Sequence, residues 1–411
     1  MKTVAILGGG PAASTLGILL ARDGWRVALW HRPSRAPLLV GESLVPAIVP
    51  MLRRLGVEEE VRGYSTLKPG ATFKIRDAID FSFFFKDLTG AMPRYAYNVP
   101  RDRFDATLLN AARAAGVRVI EGVANVVRVE GAERVRLADD TLASAGGLWE
   151  GQADWIVDAT GRARVLPALL ELPSRAGPRR DKALFAHVDH ATLAHEGHVH
   201  TVLMEQGWSW HIPLPGRVSI GMVAPAEFVA RQGNTAEEQF DRLAAKDPAL
   251  RPVLKGSRRL SPVLEFTNYQ LVSDRMVGEG WALVGDTAGF VDPVFSSGLF
   301  IGMQGAMALA SALSDGRPAA MRRYQEEARH HLATWQEIAG YFYSGRLFTC
   351  FHVGQMLRDR WLVRLTFPHV SKHLGRVFSG AASTSGYSLG LLRFAMKHGL
   401  KNEDPEALSV R

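Results

Sequence analysis

The sequence predicts an α/β protein in which a doubly wound domain is interleaved with an antiparallel-sheet domain and followed by a helical C-terminal region. Three observations support this prediction. Residues 3–7 form a short apolar run that leads through glycines into an apolar helical segment. A second glycine-rich loop, residues 285–298, follows another apolar run at 281–284. Between these regions, segments such as 201–204 and 218–222 have the composition and alternation of strands.

The length of 411 residues exceeds one ordinary domain, and the contents of 47% hydrophobic and 22% charged residues are those of a globular protein. We expect the doubly wound domain to be assembled from three segments, 1–66, 101–180 and 271–330. The antiparallel-sheet domain is expected to take residues 67–100 and 181–270. The remaining residues, 331–411, have a helical pattern, and their apolar stripe is expected to pack on the core rather than on a membrane. This stripe contains Phe342, Leu347, Phe348 and Phe351.

The loop after the first strand has the spacing of a dinucleotide-binding turn. Gly8, Gly10 and Ala13 fit the pattern G-x-G-x-x-A between a strand and a helix. In this pattern the first glycine permits a tight turn, the second lets the backbone approach a pyrophosphate, and the alanine packs the helix on the strand. The acidic residue that usually binds the adenosine ribose is replaced by His31, which offers a ring nitrogen instead.

The loop at residues 285–298 lies at the carboxyl end of an expected strand, where open α/β sheets bind cofactors. Asp286 is expected to accept hydrogen bonds from the hydroxyls of a ribityl chain. Backbone N–H groups at the start of the next helix, near Gly298, are expected to face a phosphate or a flavin carbonyl. Both contacts indicate a flavin nucleotide.

These loops, with residues 41–46, 99–105 and 157–162, resemble the FAD-dependent oxidoreductases related to para-hydroxybenzoate hydroxylase. Within that group they are similar to the flavin-dependent halogenases and their monooxygenase relatives, from residue 1 to about residue 324. The resemblance implies noncovalent FAD in a Rossmann-like domain, with Glu42, Ser43 and Arg101 in contact with the cofactor. It also implies that the antiparallel sheet covers the isoalloxazine and binds the substrate.

The source of electrons is expected to lie outside this chain. Residues 157–161 resemble the Asp-Gly fingerprint of hydroxylases that use FAD and NAD(P)H, but Ala159 and Thr160 separate Asp158 from Gly161. The sequence contains no second dinucleotide-binding loop. We therefore expect a separate flavin reductase to reduce the flavin, and NAD(P)H alone to do so slowly.

Three features favour the halogenase branch. Trp208 and Trp210 belong to a W-x-W-x-I-P element, Ser296 belongs to an F-x-x-P-x-x-S-x-G loop, and Lys68 aligns with the active-site lysine of the family. The resemblance implies that reduced FAD and oxygen form a flavin hydroperoxide, that halide attacks it, and that hypohalous acid reaches the lysine. Each feature alone also has a purely structural interpretation. Tryptophans two residues apart often pack one face of a strand, and a lysine before Pro-Gly is often a solvated turn residue.

The sequence thus predicts an FAD-dependent oxygenase that acts on an electron-rich aromatic ring such as an indole, phenol or pyrrole, free or carried on a protein. Halogenation is the favoured reaction. One alternative is a hydroxylase on the same scaffold, including relatives that hydroxylate a tryptophan in a partner polypeptide during tryptophylquinone biogenesis. Further alternatives are a flavoprotein like the geranylgeranyl reductases and a flavin-binding protein without enzymatic activity.

The net charge and the cysteine content limit the kinds of binding partner and the cellular location that we expect. The chain has 49 Lys and Arg against 41 Asp and Glu, a net charge of +8, but it lacks the dense basic run or motif of a nucleic-acid-binding protein. We expect the charge to steer the anionic FAD and substrate, or to dock an acidic partner protein. No membrane span and no signal peptide are expected, and the lone Cys350 excludes an internal disulfide, so a cytoplasmic location is expected.

Five histidines between residues 187 and 200 form the one cluster that suggests a metal. They are His187, His190, His195, His198 and His200. Alternating histidines on a sheet without cysteine are a poor ligand set, so no metal site is expected. We expect most of these side chains to be solvated, with contact to the substrate as their best functional use.

Overall fold

The computed structural model of the protein describes residues 1–33, 40–75, 79–88, 92–268, 270–357, 369, 373, 375–380, 385–399 and 404–411, with the backbone alone at residues 79, 80, 268 and 355. In chain order the described strands are β1 (Thr3–Leu7), β2 (Arg26–His31), β3 (Thr66–Lys68), β4 (Gly70–Ile75), β5 (Ile79–Phe84), β6 (Ala96–Asn98), β7 (Arg118–Glu121), β8 (Val126–Arg128), β9 (Val135–Leu137), β10 (Trp155–Asp158), β11 (Ser174–Ala176), β12 (Asp181–Val188), β13 (Val199–Leu203), β14 (Trp208–Leu214), β15 (Arg217–Pro225), β16 (Leu264–Asn268), β17 (Leu271–Ser273), β18 (Val277–Gly278), β19 (Trp281–Leu283) and β20 (Gly289–Phe290).

The described helices are α1 (Pro11–Arg22), α2 (Val49–Leu55), α3 (Glu58–Tyr64), α4 (Arg101–Ala114), α5 (Asp139–Ser144), α6 (Val165–Leu169), α7 (Ala226–Ala230), α8 (Ala236–Lys246), α9 (Leu250–Val253), α10 (Gly298–Asp315), α11 (Pro318–Tyr343), α12 (Arg346–Met356) and α13 (Gly386–His398). None of these helices, within the described residues, is both long and apolar enough to cross a membrane.

The first sheet confirms the predicted α/β class. Its strand order is β18-β19-β10-β1-β2-β7, with parallel pairing from β19 to β7 and the antiparallel strand β18 at one edge. Every side chain of β1 is buried, as expected for a parallel strand covered on both faces. Helix α1 follows β1 and packs against α4 and α10.

The second sheet is mainly antiparallel and has the order β16-β12-β15-β14-β13-β4-β5. The pairing of β13 with β4 is parallel. Because side chains alternate between the two faces of a strand, the register separates two sets of residues. Val199 and Thr201 share one face with Ala71 and Phe73, and His200 lies on the other. We call these the cavity face and the far face of the second sheet.

Helices cover both faces of the second sheet. On the far face, α7, α8 and α9 contribute to a separate apolar cluster that includes Val229, Phe240 and Leu250. On the cavity face, the C-terminal helices bring Phe342 and Phe348 against Phe73, at ring-centroid distances of 6.5 and 6.2 Å. The four residues of the predicted apolar stripe are all buried, which confirms that it packs on the core.

The strands of the two sheets come from interleaved parts of the chain. Those of the first sheet lie within 1–66, 101–180 and 271–330, and those of the second within 67–100 and 181–270. The division of the chain into domains at these boundaries remains our proposal.

Candidate functional site

A cavity of about 710 Å³ lies between the carboxyl ends of the first sheet and the cavity face of the second. Its size is within the range of roughly 300–1,000 Å³ typical of ligand sites. Ten of the predicted site residues line it, and they are Gly8, Gly10, Glu42, Ser43, Arg101, Trp208, Trp210, Asp286, Ser296 and Gly298. The other three, Ala13, His31 and Lys68, are not among the lining residues.

One end of the cavity is formed by the loop after β1. Gly8 has a φ of +110°, and a side chain there would overlap the carbonyl of Ala159, so only glycine fits. A Cβ on Gly10 would meet no protein atom within 4 Å, which leaves this backbone open to a ligand. Gly10 is also the N-cap of α1 and provides no side-chain cap for its N–H groups. Ala13 lies in the core beneath the loop, fully buried.

His31 does not face the cavity. A Cβ on Gly9 would lie 2.6 Å from Nδ1 of His31, so this imidazole packs on the glycine loop. Burial lowers the pKa of His31, and Arg113 adds to the shift. The next residue, Arg32, lines the cavity instead. A ribose contact by His31 therefore remains a prediction, and Arg32 is a lining cation that the sequence pattern did not single out.

Residues 40–44, here called the strap, cross the cavity between the two sheets. Gly41 has a φ of +93°, and a Cβ there would lie 2.8 Å from a guanidinium nitrogen of Arg101. Arg101 also donates to the Val40 carbonyl and forms a two-bond ion pair with Asp105, at 2.9 and 3.0 Å. The backbone of the strap is held further because Val99 donates its N–H to the carbonyl of Glu42.

The Glu42 carboxylate is bound by a histidine of the second sheet. Nε2 of His187, on β12, donates to both carboxylate oxygens, at 2.9 and 3.2 Å. Both side chains are buried, with 3% and 4% of their residue surfaces exposed. This contact joins the strap to the cavity face.

Asp286 and two arginines form one charged part of the cavity wall. Burial raises the pKa of Asp286, while the nearby cations Arg162 and Arg101 act in the opposite direction. The guanidinium of Arg162 lies 5.1 Å from the ring centre of Phe266 and 5.3 Å from that of Phe290. Sequence reasoning included Arg162 in a motif but did not assign it to the site. The sequence feature that could have identified Arg162 is its position directly after Gly161, in the loop that follows β10.

The loop before α10 is strained at the cavity. Ser296 has a φ of +56°, a conformation rarely adopted by residues other than glycine, and it lines the cavity. Its strain is compatible with the expectation of a functional role. The following helix begins at Gly298 without a side-chain cap on its N-terminus, and this terminus faces the cavity.

The two tryptophans form an aromatic wall on the cavity face. Trp208 donates its indole N–H to the Tyr343 hydroxyl at 2.9 Å, and Trp210 donates to the Ser219 hydroxyl at 3.3 Å. Their ring centres are 5.9 Å apart, and Phe185 continues the wall 6.0 Å from Trp210. Because both N–H groups are bonded within the protein, the wall presents apolar ring surface.

Lys68 lies behind the strap. It is buried, and its ammonium donates to the Ser43 hydroxyl at 2.8 Å and to the Leu44 carbonyl at 2.9 Å. Burial lowers the pKa of Lys68 to about 7. The prediction of a desolvated lysine is therefore met, but its direct partner is Ser43 rather than the cavity. A solvated turn position, the structural interpretation offered by the sequence, is wrong.

The histidine cluster divides between the two faces of the second sheet. His187 binds Glu42 on the cavity face, whereas His200 and His211 are buried on the far face. His198 is also buried, with Nδ1 3.0 Å from the Thr72 hydroxyl. The expectation that most of these histidines are solvated is wrong, because the sheet strands carry them into the interior. Among the described residues, no group of three or more His, Cys, Asp or Glu side chains could hold a metal ion.

The cavity fits a flavin nucleotide. Two helix N-termini without side-chain caps face it, an open glycine backbone lies at one of them, and an aromatic wall lies opposite. The helix termini suit the pyrophosphate and the polar edge of the flavin, and the apolar wall suits a planar ring. The assignment of individual residues to cofactor contacts remains a prediction.

Comparison with known proteins gives a consistent result. The family model described as tryptophan halogenase matches residues 3–92 and 82–351. A tryptophan 2-halogenase of Chondromyces crocatus is 30% identical over 372 residues, which are 86% of this chain and 70% of that protein. A 1H-pyrrole-2-carbonyl-[peptidyl-carrier protein] chlorinase of Pseudomonas fluorescens is 27% identical over 393 residues, 85% of each chain. Among solved structures, the myxobacterial chondrochloren halogenase CndH, an FAD-dependent halogenase, superposes with a TM-score of 0.70 at 26% identity, covering 99% of both chains.

Proposed function

Since the chain belongs to the tryptophan halogenase family and is an FAD-dependent oxidoreductase of the halogenase type, we propose that it halogenates an electron-rich aromatic ring held between the strap and the aromatic wall. The observation that carries this proposal is the position of Lys68. Its amine is bonded to the strap residue Ser43, which lines the same cavity as Trp208 and Trp210.

The loops and helix ends beside the first sheet hold the cofactor in this proposal. Gly8 and Gly10 would hold the pyrophosphate at the N-terminus of α1, Arg101 and Asp286 would bind the middle of the cofactor, and Gly298 would offer N–H groups to the flavin ring. When bound and reduced, FAD supplies the oxidising equivalents from oxygen that convert halide to hypohalous acid. The chain itself binds, orients and excludes water.

The aromatic wall protects the reaction from water. Trp208, Trp210 and Phe185 offer no free hydrogen-bonding group toward the cavity, so an aromatic ring can displace water from this surface at little polar cost. A pyrrole, indole or phenol is small enough to lie on it. The substrate is free or is carried on a partner protein, and the carrier-bound substrate of one relative makes the second form a specific candidate.

Lys68 is proposed to hold the hypohalous acid. An amine with a pKa of about 7 is present in both protonation states near neutrality, so it can donate a hydrogen bond or act as a nucleophile. For Lys68 to act in the cavity, either its side chain must rotate or the Ser43 hydroxyl must relay its hydrogen bond to the cavity. A separate flavin reductase is proposed to deliver electrons in the cytoplasm, and the net charge of +8 suits an acidic partner protein.

The test compares the wild type with Lys68→Ala, with chemically reduced FAD supplied, in buffers with chloride, with bromide and without halide. Indole, phenol and pyrrole are the probes, and product mass is measured. We expect halogenated product from the wild type and loss of roughly 10²-fold or more in Lys68→Ala, with FAD affinity unchanged. Oxygenated product formed equally without halide would overturn the proposal in favour of a hydroxylase.

A second lysine provides the matched contrast. Lys74 lies on β4 of the second sheet and shares the far face with His200. The pKa of His200 is lowered first by burial, then by His198 and by Lys74. We expect Lys74→Ala to keep the halogenation rate within a few-fold. Loss of product in Lys74→Ala with normal product in Lys68→Ala would transfer the lysine role to the far face.

A further inference from the structure

The cavity contains few groups that can accept a proton. Of the described residues that line it, Glu42 and Asp286 have carboxylates, and none is His, Lys, Tyr or Cys. Asp286 lies near the cations Arg162 and Arg101, in the loop after β19 where the cofactor is expected. Glu42 is therefore the carboxylate that remains for substrate chemistry.

Glu42 lies near the aromatic wall. Its partner His187 is two residues from Phe185 on β12, and the centres of these two rings are 5.5 Å apart. Phe185 in turn lies 6.0 Å from Trp210. The next strap residue, Ser43, accepts the hydrogen bond of Lys68. The carboxylate, the lysine and the wall thus converge on one part of the cavity.

Halogenation of a ring needs a base as well as an electrophile. A ring carbon forms a bond to the halogen of hypohalous acid while the O–X bond breaks and hydroxide leaves. The same carbon must then lose its proton, and the C–H electron pair restores the aromatic ring. The hydroxide takes up a proton to become water, so the sum is ring C–H plus hypohalous acid giving ring C–X plus water.

We propose that Glu42 is the catalytic base that accepts the ring proton, and that His187 is the positioning residue that holds its carboxylate at the substrate. This role rests on the proposed halogenase function and differs from the cofactor contact expected from the sequence. The geometry suits it, because the single N–H of His187 reaches both oxygens and fixes the carboxylate plane. A buried carboxylate whose one hydrogen-bond donor among the described residues is His187 retains lone pairs that can accept a proton from a ring in the cavity.

The test uses Glu42→Gln, which keeps an oxygen for His187 but removes the basic group. Ordinary and ring-deuterated forms of indole, phenol and pyrrole are halogenated in separate reactions at saturating substrate, and the two rates of product formation are compared. In the wild type the halogen–carbon bond forms before a fast proton loss, so the two forms react equally. In Glu42→Gln proton loss becomes limiting, so we expect a primary deuterium isotope effect together with a rate reduced by roughly 10²-fold or more.

Two further variants separate catalysis from structure. Glu42→Asp keeps a carboxylate and should recover part of the rate with a smaller isotope effect. His187→Asn should lower kcat and show the isotope effect while FAD affinity stays near that of the wild type. Glu58→Gln is the control, because Glu58 is also a buried glutamate, bonded to Tyr95 and Arg53 outside the cavity lining, and it should show no isotope effect.

Three results would overturn the inference. One is a Glu42→Gln enzyme that halogenates within a few-fold of the wild type without an isotope effect. Another is loss of FAD binding in both Glu42→Gln and Glu42→Asp, which would make Glu42 a cofactor residue. The third is a wild type that halogenates none of the probes while it hydroxylates them, which would remove the proposed function and this inference with it.

Discussion

At the scale of single residues, the glycines of the loop after β1 serve different purposes. Gly8 is required by the protein itself, because its φ is +110° and a side chain would overlap the backbone of Ala159. Gly10 has an ordinary extended backbone and an open space where its side chain would be. Packing within the protein therefore does not require glycine at position 10. The requirement comes from the ligand.

This difference predicts distinct results for two alanine variants. Gly10→Ala should leave the melting temperature of the FAD-free protein unchanged but weaken FAD binding, because its Cβ enters the space of the pyrophosphate. Gly8→Ala should lower the melting temperature of the FAD-free protein itself. Thermal unfolding and fluorescence titration with FAD measure the two effects. Full FAD affinity in Gly10→Ala would place the pyrophosphate elsewhere.

The buried amine of Lys68 should make the unfolding free energy depend on pH. Burial lowers the pKa of Lys68 from 10.5 to about 7 in the folded state. Between these two pH values the amine is protonated in the unfolded chain but mostly neutral in the folded protein. The wild type should therefore gain stability relative to Lys68→Met as the pH rises from 7 to 10. Denaturant unfolding at several pH values tests this. A difference in unfolding free energy that stays constant with pH would contradict the lowered pKa.

At the scale of elements, the end of α11 connects the aromatic wall to the strained loop. The Tyr343 hydroxyl accepts a hydrogen bond from Trp208 and donates one to Asp292 at 2.8 Å. Asp292 caps the turn at residues 293–295, directly before Ser296. The C-terminal helices thus hold two walls of the cavity in a fixed relation.

Tyr343→Phe tests this connection. The variant keeps the ring but leaves the indole N–H of Trp208 and a carboxylate oxygen of Asp292 without this partner. We expect a loss of about 1–3 kcal/mol in unfolding free energy, and a change in the near-ultraviolet circular dichroism of the tryptophans. The control is Tyr341→Phe, whose hydroxyl bonds to Glu337 in the same helix. Equal effects of the two variants would show that the connection has no special role.

The far face of the second sheet carries a row of buried neutral histidines. Burial lowers the pKa of His198 and of His200 to about 4 and that of His211 to about 3. The neighbouring charges of the cluster and of Lys74 act in the same direction. In the unfolded chain these groups have a pKa near 6.5. Folding therefore excludes protons from this face.

The protein should lose stability as the pH falls from 6.5 toward 4. In this window the unfolded chain binds protons that the folded protein excludes, so acid favours unfolding. His211→Gln removes one such group, and the slope of unfolding free energy against pH should decrease by about one proton. Urea unfolding between pH 7 and pH 4.5 measures it. An unchanged slope would mean that His211 is protonated in the folded protein.

At the scale of the whole molecule, the cavity depends on both sheets at once. Its lining includes the loops of the first sheet and the strands of the second, and the strap is bonded to Arg101 of α4 and to His187 of the second sheet. A ligand that contacts all of these parts stabilises them together. The cavity is thus a property of the assembled fold.

FAD should accordingly raise the stability of the entire protein. At a free FAD concentration of 100 times Kd, the gain is about 2.7 kcal/mol for a ligand that binds the folded state alone. Calorimetry should show one transition that moves to higher temperature with FAD. Two transitions, of which one is insensitive to FAD, would indicate that the second sheet unfolds independently of the cofactor site.

The sequence by itself determined the fold class, the cofactor and the family. These depend on local patterns, because a strand, a glycine turn and a helix in succession have one favourable arrangement, which recurs at residues 3–22 and 281–315. It also identified ten residues of the cavity lining, several of them in loops at the carboxyl ends of strands. The apolar stripe with Phe342 and Phe348 was identified by its helical period.

Only the tertiary structure decided the partners of the polar groups. The hydrogen bond from His187 to Glu42 joins residues 145 positions apart, and that from Trp208 to Tyr343 spans 135. No local pattern encodes such pairs, because they depend on which face of a strand meets which loop. For the same reason the sequence did not show that Lys68 points to Ser43, or that the histidines lie on opposite faces. Burial and charge at the site are set by these distant contacts, and so is the chemistry that the cavity can perform.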